Sequence, residues 1–299
     1  MEQTNRLLTV SILGCGGRGF RTYGRLMHKL PDKFKIVALC DTNAEALAIA
    51  AKEFGVFADN CFTSDEEFLT KKRSDVLVIA TLDKQHYAHA MKAMQLGYDI
   101  LLEKPITDDR QQCLDLIATQ KKYGNKVVVC HVLRYAKGFV KAKELLDGGA
   151  IGSLVSIQAL EQVAYWHMAH SYVRGNWRRA EDTAPMILAK CCHDLDLLQY
   201  YAASKATSVS SIGNLTYFKR ECAPEGSAER CTDCKYSDTC AYSAKRIYID
   251  SYVAQGCPAE TWPQNIVVID TPLTVDKLQH ALATTSPYGR CVFRCDNDV

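Results

Sequence analysis

The chain has no excess of either charge. Lys and Arg number 36 against 34 Asp and Glu, a formal net charge of +2 over 299 residues. Nothing in that balance steers nucleic acid or an anionic membrane to it, so neither is expected as a partner. Long apolar runs are also missing. The run Leu7 to Leu13, behind the polar Met1-Glu2-Gln3-Thr4-Asn5-Arg6, is too short for the core of a signal peptide or for a membrane span. Internal repeats and low-complexity segments are absent too, which argues against solenoids and disordered linkers. The expectation is a cytoplasmic globular protein long enough for two domains, each with its own core. Its fourteen cysteines are then expected as reduced thiols or metal ligands rather than disulfides. Cys15, Cys40, Cys113 and Cys130 sit among apolar neighbours and read as core residues.

The chain is organised around Leu7 to Asp41. An apolar run ends in Gly14-Cys15-Gly16-Gly17-Arg18-Gly19. Phe20, Tyr23, Leu26, Met27 and Leu30 follow at the spacing of one helix face, and a second apolar run, Phe34 to Leu39, ends at Cys40-Asp41. This is strand, glycine turn, helix, strand, acid. Gly14 allows the tight turn, Gly16 lets backbone approach a pyrophosphate, and Gly19 lets helix and strand pack closely. The helix start offers free N–H groups to phosphates. Asp41 stands where an acid can accept both hydroxyls of an adenosine ribose. The glycine pattern alone is a weak signal, and a glycine-rich turn can bind nothing. Strand, helix and acid at the right places make it a dinucleotide site.

The alternation of strand and helix continues. Asn43 is expected to cap a helix from Ala44 towards Phe54, and Ser64-Asp65-Glu66-Glu67 opens another with a capping box. Val76 to Ala80 reads as a buried strand. Tyr87, Ala90, Met91 and Met94 mark a helix that Gly97 ends, and Tyr98 to Leu102 is a strand ending in Glu103-Lys104-Pro105. A helix from Asp108 to Gly124 and a strand from Val127 to Cys130 complete a doubly wound parallel sheet of α/β class. After about His131 the rhythm changes. A helix near Lys137 to Leu146, a strand from Leu154 to Val163, a helix near Pro185 to Tyr201 and a strand near Thr207 to Tyr217 read as an α+β domain on an antiparallel or mixed sheet. The expected boundaries are 1–131 and 132–299, with a cysteine-rich insertion at about 219–260.

Taken together, the glycine pattern, the Glu103-Lys104-Pro105 turn after the fifth strand, and a later helix carrying His193-Asp194-Leu195-Asp196 resemble the Gfo/Idh/MocA oxidoreductases over nearly the whole chain. The resemblance implies a Rossmann domain followed by a C-terminal domain with an open, mainly antiparallel sheet. It implies NAD(P)-dependent chemistry on sugars, sugar derivatives or inositols, with Lys104 as catalytic lysine, Pro105 shaping its turn and His193 as catalytic histidine. The expected cofactor residues are Gly14, Cys15, Gly16, Gly17, Arg18, Gly19, Asp41, Thr81, His86, Glu103 and Lys104. The chemistry is sensible on its own terms: an ammonium at a sheet's carboxyl edge can stabilise an alkoxide, and a histidine titrating near neutrality can take a hydroxyl proton, with Asp196 near enough to orient it. NAD is expected over NADP, because Asp41 would repel a 2′-phosphate and Thr42-Asn43 supplies no cation.

Two features depart from the family pattern. Many members carry Asp four residues before the histidine, where this chain has Ala189 and then Lys190. The chain also ends at Arg294 to Val299 where family chains continue with further strands. An incomplete sheet is therefore expected, and a homo-oligomer only if the sheet is complete.

Two constellations remain. The stretch Tyr165 to Arg178 is dense in aromatic and hydrogen-bonding side chains. Trp166, His167, His170, Arg174 and Asn176, with Lys190 and Asp194, are expected to line a sugar or polyol site, since aromatic faces stack on sugar rings. The competing reading packs those aromatics into the domain core. Cys222, Cys231, Cys234 and Cys240 form C-x8-C-x2-C-x5-C, whose centre has a metal-ligand spacing that suits structural zinc ahead of iron–sulfur, with Cys257 as the alternative to the more distant Cys222. Unliganded thiols or a disulfide are the alternatives. The function expected is a dehydrogenase moving a hydride between NAD and a sugar or polyol hydroxyl. Two alternatives are an NAD-dependent glycoside hydrolase working by transient oxidation and elimination, and a non-catalytic NAD-binding protein.

Overall fold

A computed structural model describes residues 6–298. One compact unit ends at Cys130 and a second begins at His131. In the first, six short strands form one parallel sheet: β1 Leu8–Leu13, β2 Phe34–Cys40, β3 Cys61–Phe62, β4 Val76–Ile79, β5 Asp99–Leu102 and β6 Val127–Val129. Their order is β3-β2-β1-β4-β5-β6. The winding reverses between β1 and β4, the place where such sheets bind ligands at their carboxyl ends. The register makes that edge a common line. Leu13 lies beside both Cys40 and Ile79, and Ile79 beside Leu102. Gly14, Asp41, Ala80 and Glu103 therefore leave the sheet side by side.

Strand alternation builds a core on each face. Val10, Ile12, Leu39 and Val78 pack on one side with Phe20, Leu47, Ala50 and Phe54. Leu13, Leu77, Ile79, Ile100 and Leu102 pack on the other with Phe68, Ala90, Met94, Tyr98 and Leu116. Each fully buried Leu, Ile or Phe contributes about 1.5–3 kcal/mol. Helix ends follow the local chemistry. Asn43 Oδ1 accepts the N–H groups of Glu45 and Ala46, opening the helix Ala44–Phe54, and left-handed Gly55 closes it. Ser64 Oγ accepts the N–H of Glu67. Asp109, rather than Asp108, caps Arg110–Tyr123.

The helix after the glycine turn departs from the expected face. It is a π-helical stretch over Gly17–Gly24 followed by one α turn, Arg25–His28. The wider winding turns Leu26 and Leu30 outward, while Phe20 stays buried. Cys15, Cys40 and Cys130 are buried as expected, and Cys113 is half-buried.

The second unit differs more from expectation. Among its described residues no strand forms, and an isolated bridge joins Arg230 to Arg290. The segments Leu154 to Val163 and Thr207 to Tyr217, expected as strands, run without ladder partners, with Val155 95% and Ile212 99% exposed. A strand exists only by pairing, so apolar alternation without a neighbour gives extended chain. The unit is held instead by helices and turns. Ala169, Val173, Ile247, Tyr248, Leu282, Tyr288, Val292 and Phe293 form its main core with Cys231, Cys291 and Cys295. The helix expected near Pro185 to Tyr201 is two pieces, Met186–Ala189 and Cys192–Ala202. No helix among the described residues is long and apolar enough to cross a membrane.

Candidate active site

The glycine turn shows what its residues are for. Gly14 has φ +96°, and a Cβ there would stand 2.5 Å from the Ala80 carbonyl oxygen. A Cβ on Gly19 would fall 1.8 Å from the Gly14 carbonyl oxygen. These two positions must be glycine for β1, β4 and the first helix to close together. At Gly16 a Cβ would meet no protein atom within 4 Å, so this backbone faces open space at the start of the helix. Asp41 is fixed against the turn: its Oδ2 accepts the Cys15 N–H at 2.6 Å and its Oδ1 accepts the Asn43 N–H at 2.7 Å. Burial, and then Asp41, push the Cys15 thiol up, so it stays a neutral core residue contributing its N–H. Glycine cradle, open helix start and anchored acid together fit a dinucleotide.

Beside the turn stands Glu103, almost wholly buried. It accepts the Tyr23 hydroxyl at 2.6 Å and the Lys104 N–H at 3.0 Å, and pairs with Arg18 Nε at 3.7 Å. One carboxylate thus ties the first helix to the lysine turn. The Lys104–Pro105 bond is cis. Thr81 is held from behind. His89 Nδ1 lies 3.1 Å from its hydroxyl, and His89 Nε2 lies 2.7 Å from Asp65. Burial keeps His89 below its usual range, so the neutral ring donates to Asp65 and accepts from Thr81. His86 is corrected from the expected cofactor contact. It is fully buried, with Nδ1 2.7 Å from the Pro105 carbonyl and Nε2 3.1 Å from that of Thr81. It braces the two turns from inside.

In the second unit, His193 lies buried near the start of Cys192–Ala202, its ring edge-on to His131 at 5.8 Å. Arg134 clamps both carboxylate oxygens of Asp196 at 2.7 Å, and His131 Nδ1 lies 3.8 Å away. Ala189 is packed against Tyr172 and Ala184, and Lys190 pairs with Glu161 at 2.8 Å. Asp194 is raised above the usual carboxylate range by burial and then by Glu161. His167 is lowered by burial and then by Lys190. Glu161, Lys190, Asp194 and His167 therefore share one mixed-charge neighbourhood.

The aromatic stretch divides between the two readings given for it. Trp166 and His167 are half-buried and meet Trp262 at 5.2 and 5.1 Å. Asn176 is exposed. His170 and Arg174 are corrected: both belong to the core. His170 stacks on Tyr288 at 4.6 Å and shares a hydrogen bond with Tyr248. Arg174, 1% exposed, donates to the carbonyls of Arg290 and Tyr242 and to the Cys231 sulfur. The expected zinc ligands are corrected too. Among the described residues no three His, Cys, Asp or Glu side chains are placed to hold a metal ion. Cys222 is exposed and turned to the Thr216 carbonyl, while Cys231 is buried beside Arg174.

Comparison with known proteins gives the family. Residues 8–131 match the model of the oxidoreductase family with an NAD-binding Rossmann fold, and residues 139–233 match the Gfo/Idh/MocA C-terminal domain. The chain belongs to the Gfo/Idh/MocA oxidoreductase family. YteT of Bacillus subtilis is 24% identical over 248 residues, 79% of this chain and 57% of that one. An inositol 2-dehydrogenase/D-chiro-inositol 3-dehydrogenase of Halalkalibacterium halodurans is 25% identical over 204 residues, 68% of this chain and 55% of the other. The WlbA dehydrogenase of Bordetella pertussis, solved with NADH and UDP-GlcNAcA, shares the fold with a TM-score of 0.56 at 23% identity, covering 66% of this chain and 60% of that one. The chain thus spans a little over half the length of the curated relatives it matches.

In this family member the NAD-binding domain gathers Gly14 to Gly19, Asp41, Thr81, Glu103 and Lys104 along one sheet edge. Tyr23, His89, Glu161, His131, Arg134 and Trp262 were not singled out from the sequence. Each works by a long-range contact. Tyr23 in particular sat in the helical pattern as an apolar spacing residue, with nothing to announce its hydroxyl's partner eighty residues on.

Proposed function

We propose that this protein is an NAD-dependent dehydrogenase of a sugar, sugar derivative or polyol, oxidising a CH–OH group or running that reaction in reverse. The observation that carries the reading is the anchoring of Lys104: Glu103 fastens the lysine turn to the first helix at the carboxyl edge of the sheet, directly beside the glycine cradle. When bound, NAD supplies the hydride acceptor, held by the Gly14–Gly19 backbone and the Asp41 carboxylate. The Lys104 ammonium hydrogen-bonds the reacting oxygen and stabilises negative charge as it develops there. His193 takes the hydroxyl proton. The ring of His193 is positioned through His131, whose neighbour Asp196 is fixed by Arg134. Glu161, Lys190, Asp194 and His167 offer alternating donors and acceptors, which suits a substrate with several hydroxyls. The test is turnover of sugars and polyols with NAD, followed as NADH formed.

A further inference from the structure

Thr81 ends a line of three side chains that the hydride chemistry leaves unused. Strand β4 stops at Ile79, and the next residues lie close against the glycine turn: a Cβ on Gly14 would stand 2.9 Å from the Thr81 nitrogen. Behind Thr81 is His89, one turn into the helix His86–Gln95. Behind His89 is Asp65, the first residue of the helix Asp65–Phe68. His89 Nε2 lies 2.7 Å from Asp65 Oδ2, and His89 Nδ1 lies 3.1 Å from Thr81 Oγ1. One imidazole thus spans two separate elements. His89 is 5% exposed, whereas Thr81 is only half-buried and keeps part of its surface open.

The donors and acceptors along this line follow from its far end. The bond from His89 holds Asp65 below the usual carboxylate range, so Asp65 is an anion and can only accept. Nε2 must then carry a ring proton. Burial, opposed by Asp65 and helped by His86, keeps the ring neutral. Nδ1 is therefore a bare acceptor, and the Thr81 hydroxyl has to donate to it. That commits the one hydrogen of the hydroxyl, and only lone pairs remain for any other partner. The Thr81 carbonyl is turned inward, 3.1 Å from His86 Nε2. The phosphate oxygens of a dinucleotide are acceptors themselves and gain nothing from such a hydroxyl. Its ribose hydroxyls and its carboxamide N–H are donors and do.

We propose that Asp65 and His89 are positioning residues for the cofactor, holding the Thr81 hydroxyl as a hydrogen-bond acceptor for a ribose hydroxyl or the carboxamide N–H of NAD. Both act through Thr81 alone. The proposal rests on NAD binding at the glycine cradle and not on the hydride step.

The test is calorimetric titration of the full chain with NAD and with ADP-ribose, which lacks the nicotinamide ring and its carboxamide. Thr81→Val removes the hydroxyl at nearly constant shape. It is expected to weaken NAD binding about three- to tenfold, the worth of one neutral hydrogen bond. His89→Leu is expected to lose as much, and the double variant no more than either single one, because both changes remove the same contact. His89→Gln guards against a leucine that fails to fold. Its amide carries one donor and one acceptor, so it can serve Asp65 and Thr81 together, and it is expected to recover most of the affinity. A Thr81→Val loss seen with both ligands assigns the donor to a ribose hydroxyl, and a loss with NAD alone assigns it to the carboxamide. Nitrogen-15 NMR of the unliganded protein is expected to show the His89 proton on Nε2. Overturning results are wild-type NAD affinity in Thr81→Val, additive losses in the double variant, His89→Gln no better than His89→Leu, or a His89 proton on Nδ1. Wild-type protein that binds no NAD overturns this proposal together with the cofactor reading beneath it.

Discussion

His170 predicts a steep acid sensitivity of the second unit. The ring is 3% exposed, stacks on Tyr288 at 4.6 Å and shares a hydrogen bond with the Tyr248 hydroxyl at 2.9 Å. Burial, then the charges of His167 and Arg174, hold it down at about 3, against an ordinary histidine value of 6.5. A base with a depressed folded value stabilises the fold above its unfolded value, and that stability drains away as pH falls from 6.5 towards 3. Taking those two values, lowering the pH from 7 to 5 costs about 2 kcal/mol from this group alone. All three tryptophans, Trp166, Trp177 and Trp262, lie in the second unit, so their fluorescence reports on it. Urea unfolding of the wild type and of His170→Gln at pH 7, 6 and 5 separates this histidine from every other titrating group. The variant is less stable at pH 7, and its deficit shrinks by about 2 kcal/mol by pH 5. A deficit constant across that range would refute the assignment of His170 as a neutral core residue.

Two further outcomes are expected. NAD binds more tightly than NADP, and Asp41→Asn narrows the gap by about tenfold, or about 1.4 kcal/mol, because the anchored carboxylate is what repels a 2′-phosphate; calorimetric titration of both nucleotides checks this, and tighter NADP binding to the wild type contradicts it. Lys104→Ala and His193→Ala are each expected to remove most of kcat while changing NAD affinity less than about threefold, since the proposed mechanism has both acting on the reacting oxygen rather than on cofactor grip; a variant with wild-type kcat takes its residue out of the mechanism.

The first unit was legible because its signals are local and covalent in spacing. Gly14 and Gly19 sit where added carbon would strike backbone, and Asn43, Ser64 and Gly55 end helices by contacts within a few residues. The exceptions there are instructive. Nothing in a 3.6-residue pattern distinguishes an α from a π winding, so Leu26 and Leu30 were assigned inward and stand exposed. His86 was expected at the cofactor, but backbone carbonyls of two separate turns claim both its nitrogens. The second unit was less legible, because its determinants are long-range. Leu154 to Val163 alternates like a strand, and alternation does not show whether a partner strand is there. In Tyr165 to Arg178 the aromatic density was real, but whether each side chain faces core or pocket depends on Tyr248, Trp262 and Tyr288, about a hundred residues away. The cysteine spacing pointed to Cys222, whereas the bridge from Arg230 to Arg290 puts Cys291 beside Cys231.

The dehydrogenase proposal has NAD, bound at the glycine cradle, oxidising a hydroxyl-bearing carbon of a sugar or polyol. The most direct measurement is a panel of inositols, aldoses, sugar acids and their glycosides incubated with the full chain and NAD, read at once for NADH absorbance and for released aglycone. Stoichiometric NADH from at least one substrate, without glycoside cleavage, is the expected result. Glycoside cleavage without net NADH, or NAD binding with no turnover across the panel, would contradict it.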